Sequence, residues 1–159
     1  MNNEFIKQLE KNCPMYHSEL HGIDHWRRVE RNGLYLCSRN NADKHVVSYF
    51  AYLHDCMREN ESNDPRHGPR GAYFAIQHRD LIELDDLQFQ SLVSACKSHT
   101  FGKQINDVTI GTCWDADRLD LTRISISPKQ EFMHNSEAKM LCEYNIFTNS
   151  ENLYKQLGL

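Results

Sequence analysis

The sequence predicts an all-α protein, and three features of it indicate this fold class. Apolar residues recur at intervals of three and four along almost the whole chain, as they do on one face of an α-helix. No segment alternates apolar and polar residues for long enough to predict a strand. Aspartates that are suited to cap helices, among them Asp85 or Asp86 and Asp107, stand just before apolar stripes. We therefore expect a bundle of helices without a sheet.

The predicted helices follow one another from the N-terminus with few interruptions. They carry apolar stripes at helical spacing and lie over residues 5–9, 26–37, 46–57, about 70–80, 87–96, 110–121, 135–144 and 151–157. Asp24 is placed to cap the second helix. The polar stretch over residues 59–71 predicts a loop, and Ser127 and Pro128 interrupt the pattern before the two closing helices.

Length and charge limit what the chain can be. Its 159 residues are the usual length of one domain, so we expect a single domain over residues 1–159. The formal net charge is −4 without a dense cluster of Lys and Arg, so no nucleic-acid partner is expected. No apolar run approaches the roughly 18 residues of a membrane helix, so no membrane partner is expected either.

The cysteines predict a reducing compartment. The chain has six of them, none in a C-x-x-C pair, and its N-terminus has no apolar core of the kind that a secretory signal needs. We expect free thiols and a cytoplasmic protein.

A histidine and an aspartate stand on the apolar face of the third predicted helix. His54 lies four residues after Phe50 and three before Met57, and Asp55 follows about 100° further round the helix. A buried carboxylate is costly unless it is paired or bound to a metal. His54 by itself could equally be a hydrogen-bonded histidine of the core.

The aspartates of the segment D-A-D-R-L-D differ in direction. Asp117 lies four residues after Cys113 and three after Trp114, so it should point into the core. Asp115 stands about 200° away round the helix and should point elsewhere. The segment could also belong to a solvated helix that salt bridges hold together.

His25 completes a set of metal-binding residue types. It opens its own helix four residues before Val29, and it joins His54, Asp55 and Asp117. Two imidazoles and two carboxylates suit divalent Mn, Fe, Co, Ni or Zn, or Mg if waters complete the shell. In an octahedral shell, four protein ligands leave two positions for water or substrate.

Three segments carry a resemblance to a known family. H-W-R-R-V from His25, L-H-D ending at Asp55 and A-D-R-L around Asp117 occur in that order. Together they resemble the motifs of the HD-domain metal-dependent phosphohydrolase superfamily, over about residues 20–125. The resemblance implies an HD-type helical bundle whose metal ligands are His25, His54, Asp55 and Asp117.

Some members of that family bind a second metal through two further histidines. His67 and His99 stand in suitable order for a second metal or for substrate. Alternatively, His67 is a loop residue that caps the next helix, and His99 is favoured at a helix C-terminus by the dipole.

Two arginines beside the motifs are candidates to bind phosphate. Arg28 lies three residues after His25, and Arg118 directly follows Asp117. Each has an ordinary alternative, since Arg28 could pair with Asp24 and Arg118 with Asp115 on the same helix face.

The expected function follows from these residues and the resemblance. A divalent ion lowers the pKa of a bound water and polarises a phosphoryl oxygen, and Asp55 is the candidate catalytic residue that orients the water. The resemblance implies a metal-dependent phosphohydrolase that acts on a phosphate ester or anhydride, with a small phosphorylated substrate that we expect to be a nucleotide. Two alternatives stay open, namely a di-iron HD-type oxygenase, which needs His67 and His99, and a non-catalytic metal-stabilised ligand-binding or regulatory module.

Overall fold

Helices account for all the regular structure in residues 1–103 and 105–143, which are the residues that the computed structural model describes. There are seven α-helices and no strand in these ranges. The α-helices are α1 (Asn3–Asn12), α2 (Ile23–Cys37), α3 (Lys44–Leu53), α4 (His67–Gln77), α5 (Asp86–Ser98), α6 (Val108–Leu119) and α7 (Ser136–Glu143). Short 3-10 helices lie at Arg79–Leu81, Leu121–Ile124 and Gln130–Phe132. The all-α prediction is confirmed; the helix predicted over residues 151–157 lies outside the described residues, and the single domain stays a prediction.

Helix α3 forms the centre of the bundle. It packs against α2, α4, α5 and α6. Its residues from Val46 to Leu53 are buried except for Ser48. Helix α2 comes very close to it at Gly33, where an added Cβ atom would lie 2.3 Å from Cγ1 of Val47. A larger residue at this position would force apart the two helices that carry His25 and His54.

Aspartates cap three of the helices. Asp43 caps α3 and Asp107 caps α6, each accepting hydrogen bonds from backbone N–H groups of the first turn. Asp85 caps α5 in a reciprocal capping box with Gln88. The caps predicted at Asp85 and Asp107 are confirmed. The cap predicted at Asp24 is wrong, because Gly22 is the residue that precedes α2.

The α3–α4 connection differs from the prediction at both ends. The apolar stripe extends to Met57, but α3 ends at Leu53, so His54 and Asp55 lie in the turn that follows. Helix α4 crosses this point so closely that a Cβ atom on Gly71 would lie 2.2 Å from the Leu53 carbonyl oxygen. The predicted loop over residues 59–71 is shorter than expected, because α4 already begins at His67.

Two further properties of the described chain bear on the sequence predictions. The six cysteines are free thiols, as predicted. None of the described helices combines the length and the apolar character that crossing a membrane would require.

Candidate metal centre

Six metal-competent side chains meet at one end of the bundle. Each stands at or beside the end of a helix, and they are His25 of α2, His54 and Asp55 after α3, His67 of α4, His99 after α5 and Asp117 of α6. They form two groups whose potential ligand atoms lie within 4.8 Å of one another. One group is His25, His54 and Asp117, and the other is Asp55, His67 and His99.

The first group is a compact set of two imidazoles and a carboxylate. The Nε2 atoms of His25 and His54 lie 3.1 Å apart. Each of them lies 3.5 Å from Oδ1 of Asp117. Both imidazoles are fully buried, whereas Asp117 keeps 20% of its side chain exposed. Asp117 therefore lies at the edge of the core and closes this group toward solvent. The sequence had predicted a position inside the core.

The hydrogen-bond partners of these imidazoles decide which nitrogen carries a proton. Nδ1 of His54 lies 3.0 Å from the Ala51 carbonyl oxygen, which can only accept. Nδ1 of His25 lies 2.7 Å from a carboxylate oxygen of Asp120. Burial lowers the pKa of His25 to about 4, although the hydrogen bond to Asp120 opposes the shift. With Nδ1 of each ring donating to its acceptor, both Nε2 atoms are directed at one position, where a metal ion or a shared proton would hold them together.

The charges of the side chains in this group also favour a bound cation. Burial lowers the pKa of His54, but the carboxylates of Asp55 and Asp117 outweigh it, so that the pKa is raised overall. Burial raises the pKa of Asp117, yet the neighbouring imidazoles outweigh it and hold that pKa far below its ordinary value. The donor types and their charges therefore fit a divalent metal ion. A hydrogen-bonded core histidine would satisfy Nδ1 of His54 as well, whereas the second imidazole and the carboxylate beside its Nε2 favour a metal site.

The second group repeats this arrangement. The Nε2 atoms of His67 and His99 lie 2.8 Å apart. Their Nδ1 atoms face the backbone carbonyl oxygens of Asp64 and Cys96. Burial lowers the pKa of His67 to about 4, so its ring is neutral near pH 7. The two Nε2 atoms thus face one position, and the Thr100 hydroxyl lies 3.2 Å from that of His67.

Asp55 joins the two groups through its two carboxylate oxygens. Oδ2 lies 3.7 Å from Nε2 of His25 and 3.8 Å from Nε2 of His54. Oδ1 lies 3.1 Å from Nε2 of His67 and 3.6 Å from Nε2 of His99. Burial raises the pKa of Asp55, but His54 and hydrogen bonds from His21 and His99 hold it well below its ordinary value. An ionised carboxylate between two imidazole pairs is the arrangement of a bridging ligand.

The fold that holds these groups is found in a solved structure. The chain is similar to the crystal structure of a predicted HD superfamily hydrolase from an uncultured Thermotogales bacterium, with a TM-score of 0.70 and 23% sequence identity. The likeness covers 98% of this chain and 90% of that one. This chain has the HD-type helical fold. No protein-family model and no curated protein matches the sequence.

Within the HD-type fold, sequence reasoning missed two buried residues of the site. Asp120, the last aspartate of D-A-D-R-L-D, contacts His25. Its spacing of three residues from Asp117 places both on one helix face but does not indicate this partner. His21 stands one helical turn before His25, and its Nδ1 lies 3.1 Å from Oδ2 of Asp55. Neither could be recognised beforehand, because both act on ligands from distant parts of the chain.

A cavity of about 360 Å³ opens beside the two groups of the candidate metal centre. Asp55, His67, His99 and Asp117 form part of its wall. The other lining residues are cationic, acidic, polar or apolar, and they are Arg58, Arg118, Arg123, Glu61, His21, Ser62, Thr100, Leu121 and Ile124. The cavity therefore brings cationic groups and a small apolar surface to the place where the candidate ligands are accessible.

The two arginines that the sequence singled out have different positions. Arg118 lines the cavity and lies 3.9 Å from Asp115, so both of its predicted contacts are compatible with the structure. Arg28 does not line the cavity, and its Nε donates to Asp120 at 2.8 Å. The expected pair of Arg28 with Asp24 is replaced by a pair of Arg27 with Asp24.

Asp115 serves a different part of the HD-type bundle. It points away from the metal-competent groups, as predicted, but it is fully buried, which the helix-face reasoning did not foresee. Its carboxylate accepts hydrogen bonds from the backbone N–H groups of His134 and Asn135, at 2.8 Å and 2.7 Å. It therefore fastens the chain that precedes α7 to α6.

Proposed function

We propose that this protein is a metal-dependent phosphohydrolase with a two-ion centre. His25, His54, Asp55 and Asp117 would hold one divalent ion, and Asp55, His67 and His99 the second. The observation that carries the proposal is the pair of facing Nε2 contacts, 3.1 Å and 2.8 Å, on either side of Asp55. Four imidazole Nε2 atoms gathered around an ionised carboxylate form an arrangement that divalent cations stabilise.

The chemistry divides between the ions and the chain. When bound, divalent ions supply a water of lowered pKa and polarise a phosphoryl oxygen. Asp55 is the proposed catalytic residue, because its oxygens face both histidine pairs and can accept a hydrogen bond from the attacking water. Asp117 leaves part of its carboxylate open to the cavity, so it can hold the substrate-facing side of the site.

Three arginines of the cavity are proposed to bind phosphate oxygens. Arg58, Arg118 and Arg123 each donate to a backbone carbonyl oxygen at 2.7 Å, those of Ser62, Phe132 and Leu20 respectively. Each guanidinium also lies 3.7 to 3.9 Å from a carboxylate oxygen, those of Asp55, Asp115 and Asp120 respectively. These distances exceed that of a hydrogen bond, so the guanidinium groups keep N–H donors for an anion. We propose a small phosphorylated substrate, a nucleotide in particular. Phosphate binding by Arg28 stays a prediction from the motif.

The second candidate function is a di-iron oxygenase. The Asp55, His67 and His99 group favours it, since two irons require ligands beyond the first four. The three cavity arginines favour an anionic phosphate substrate instead, and for this reason we prefer the phosphohydrolase. We also propose a cytoplasmic location, because all six cysteines are free thiols.

A substrate panel tests the proposed function. Protein loaded with Mn, Co, Ni, Mg or, under air, Fe would be offered phosphomonoesters and nucleoside mono-, di-, tri- and cyclic phosphates. We expect phosphate or diphosphate release that a chelator abolishes and that His54→Ala and Asp55→Asn lack. Asp24→Asn is the matched control, because Asp24 is exposed and pairs with Arg27, not with a candidate ligand. If no metal supports turnover of any of these compounds, the phosphohydrolase proposal is wrong, and ligand binding without turnover would indicate the regulatory module.

A further inference from the structure

The four histidines of the centre are not held in the same way. Three of them direct Nδ1 to the backbone carbonyl oxygen of the residue three positions earlier, and these pairs are His54 with Ala51, His67 with Asp64 and His99 with Cys96. His25, in the first turn of α2, is held differently. Its Nδ1 is instead 2.7 Å from Oδ2 of Asp120, 95 residues away in the chain.

Asp120 is itself firmly placed. It is the residue that ends α6, and only 9% of its side chain is exposed. Arg28 donates its Nε to both carboxylate oxygens, at 2.8 Å and 3.1 Å. Arg28 lies on α2, one turn after His25, so the carboxylate from α6 bonds two residues of the same helix face. Asp120 and Arg28 therefore fix where α2 meets α6.

We propose that Asp120 is the positioning residue for His25, with Arg28 as the residue that holds Asp120 in place. By accepting a hydrogen bond from Nδ1–H of His25, Asp120 selects the tautomer in which Nε2 carries no proton. The same hydrogen bond orients the ring toward His54 and Asp117. A carboxylate in this place also makes the imidazole a stronger ligand. This inference rests on the proposed function, since it assumes that His25 binds an ion. It assigns to Arg28 a role other than phosphate contact.

The test is metal binding, measured with Co²⁺ as the probe and independently of turnover. Wild type, Asp120→Asn, Arg28→Gln and the charge-matched control Asp24→Asn would be titrated in competition with a chelator, and the visible absorption of bound Co²⁺ recorded. For Asp120→Asn we expect one of the two ions to bind about 10- to 100-fold more weakly, with an altered absorption spectrum. The ion at Asp55, His67 and His99 should be retained. Arg28→Gln should weaken the same ion to a smaller extent, and Asp24→Asn should not.

The outcomes separate this inference from the proposed function. A merely structural role of Asp120 would lower the stability of the metal-free protein and weaken both ions alike, and that result would overturn the positioning role. Wild-type affinity in Asp120→Asn would overturn it as well. If Asp120→Asn does not fold, the test passes to Arg28→Gln, and unchanged Co²⁺ binding there overturns the proposal. A wild type that binds Co²⁺ but hydrolyses no phosphate refutes the phosphohydrolase alone, whereas a wild type that binds no Co²⁺ refutes both.

Discussion

Nε2 of His67 faces Nε2 of His99 across 2.8 Å. The two rings are held in this orientation because their Nδ1 atoms bond to the backbone carbonyl oxygens of Asp64 and Cys96. The contact therefore indicates a position for a cation, distinct from the position between His25 and His54.

This relationship predicts two ions per chain. We expect wild type to bind two equivalents of Mn or Co, and His99→Ala to bind one, because the second position would keep only Asp55 and His67. Elemental analysis after dialysis measures the stoichiometry. His45→Ala is the control, since His45 is exposed and lies outside both groups, and it should keep two equivalents. A single equivalent in wild type, unchanged in His99→Ala, would contradict the second site.

Asp117 and Asp115 should respond to substitution in opposite ways. Asp117→Asn should lose affinity for the ion held by His25 and His54 with little loss of stability, since Asp117 contacts that pair. Asp115→Ala should retain the ion but lower the free energy of unfolding by about 1–3 kcal/mol, because the backbone N–H groups of His134 and Asn135 would lose their buried acceptor.

Metal titration and urea unfolding of the two variants measure these effects. If Asp115→Ala lost the ion while Asp117→Asn kept it, the placement of the ligands would be refuted.

Removal of metal should destabilise the whole bundle. The six ligands come from the ends of five helices, so an ion that binds only the folded chain stabilises their arrangement. At a free ion concentration 100 times the dissociation constant, one site contributes about 2.7 kcal/mol. Thermal unfolding should therefore occur at a lower temperature with a chelator than with Mn or Co. His54→Ala should show a smaller difference, and equal melting temperatures for wild type with and without metal would contradict the prediction.

Asp43 should make stability depend on acid pH. Its carboxylate accepts hydrogen bonds from Gln88 at 2.6 Å and from the backbone of His45 at 2.8 Å. Burial raises the pKa of Asp43, but these hydrogen bonds outweigh it and lower the pKa overall. A lowered pKa in the folded state means that the contribution is complete above the unfolded pKa of about 3.9 and is lost as the pH falls through the folded value.

Asp43→Ala should therefore cost about 1 kcal/mol of unfolding free energy at neutral pH and less in acid. Urea unfolding of wild type and variant at several pH values measures the difference. Asp24→Ala, which removes an exposed carboxylate, is the control and should show little change at any pH. A cost for Asp43→Ala that does not shrink in acid would contradict the assigned role.

The helical fold could be predicted because its causes are local. The caps at Asp85 and Asp107 and the apolar spacing in α5 and α6 depend on residues within one or two turns. The same reasoning predicted that α3 continues past Leu53 to Met57. His54 and Met57 keep the helical spacing of the apolar stripe, although the helix itself has ended. Helix α3 ends where Gly71 of α4 approaches the Leu53 carbonyl oxygen, a contact between distant parts of the chain that no local pattern indicates.

The candidate ligands could be named in advance, but their supporting residues could not. His25, His54, Asp55 and Asp117 carry a recognisable order in the chain, and the structure brings them together. Asp120 and His21 carry no pattern of their own, since each is defined by a partner in another segment. For Arg28, the sequence suggested Asp24 as the partner, because Asp24 is the nearest acidic residue on the same helix. The observed partner, Asp120, comes from α6.

By itself, the sequence determined that the chain is helical and which His and Asp residues could bind metal, because helical spacing, caps and residue chemistry act over short distances. Only the tertiary structure decided that four Nε2 atoms face one another in two pairs with Asp55 between them. These distances of 3–4 Å depend on how α2, α4, α5 and α6 pack around the end of α3. A shift of one helix by a single ångström would separate the pairs, and no local pattern encodes that packing.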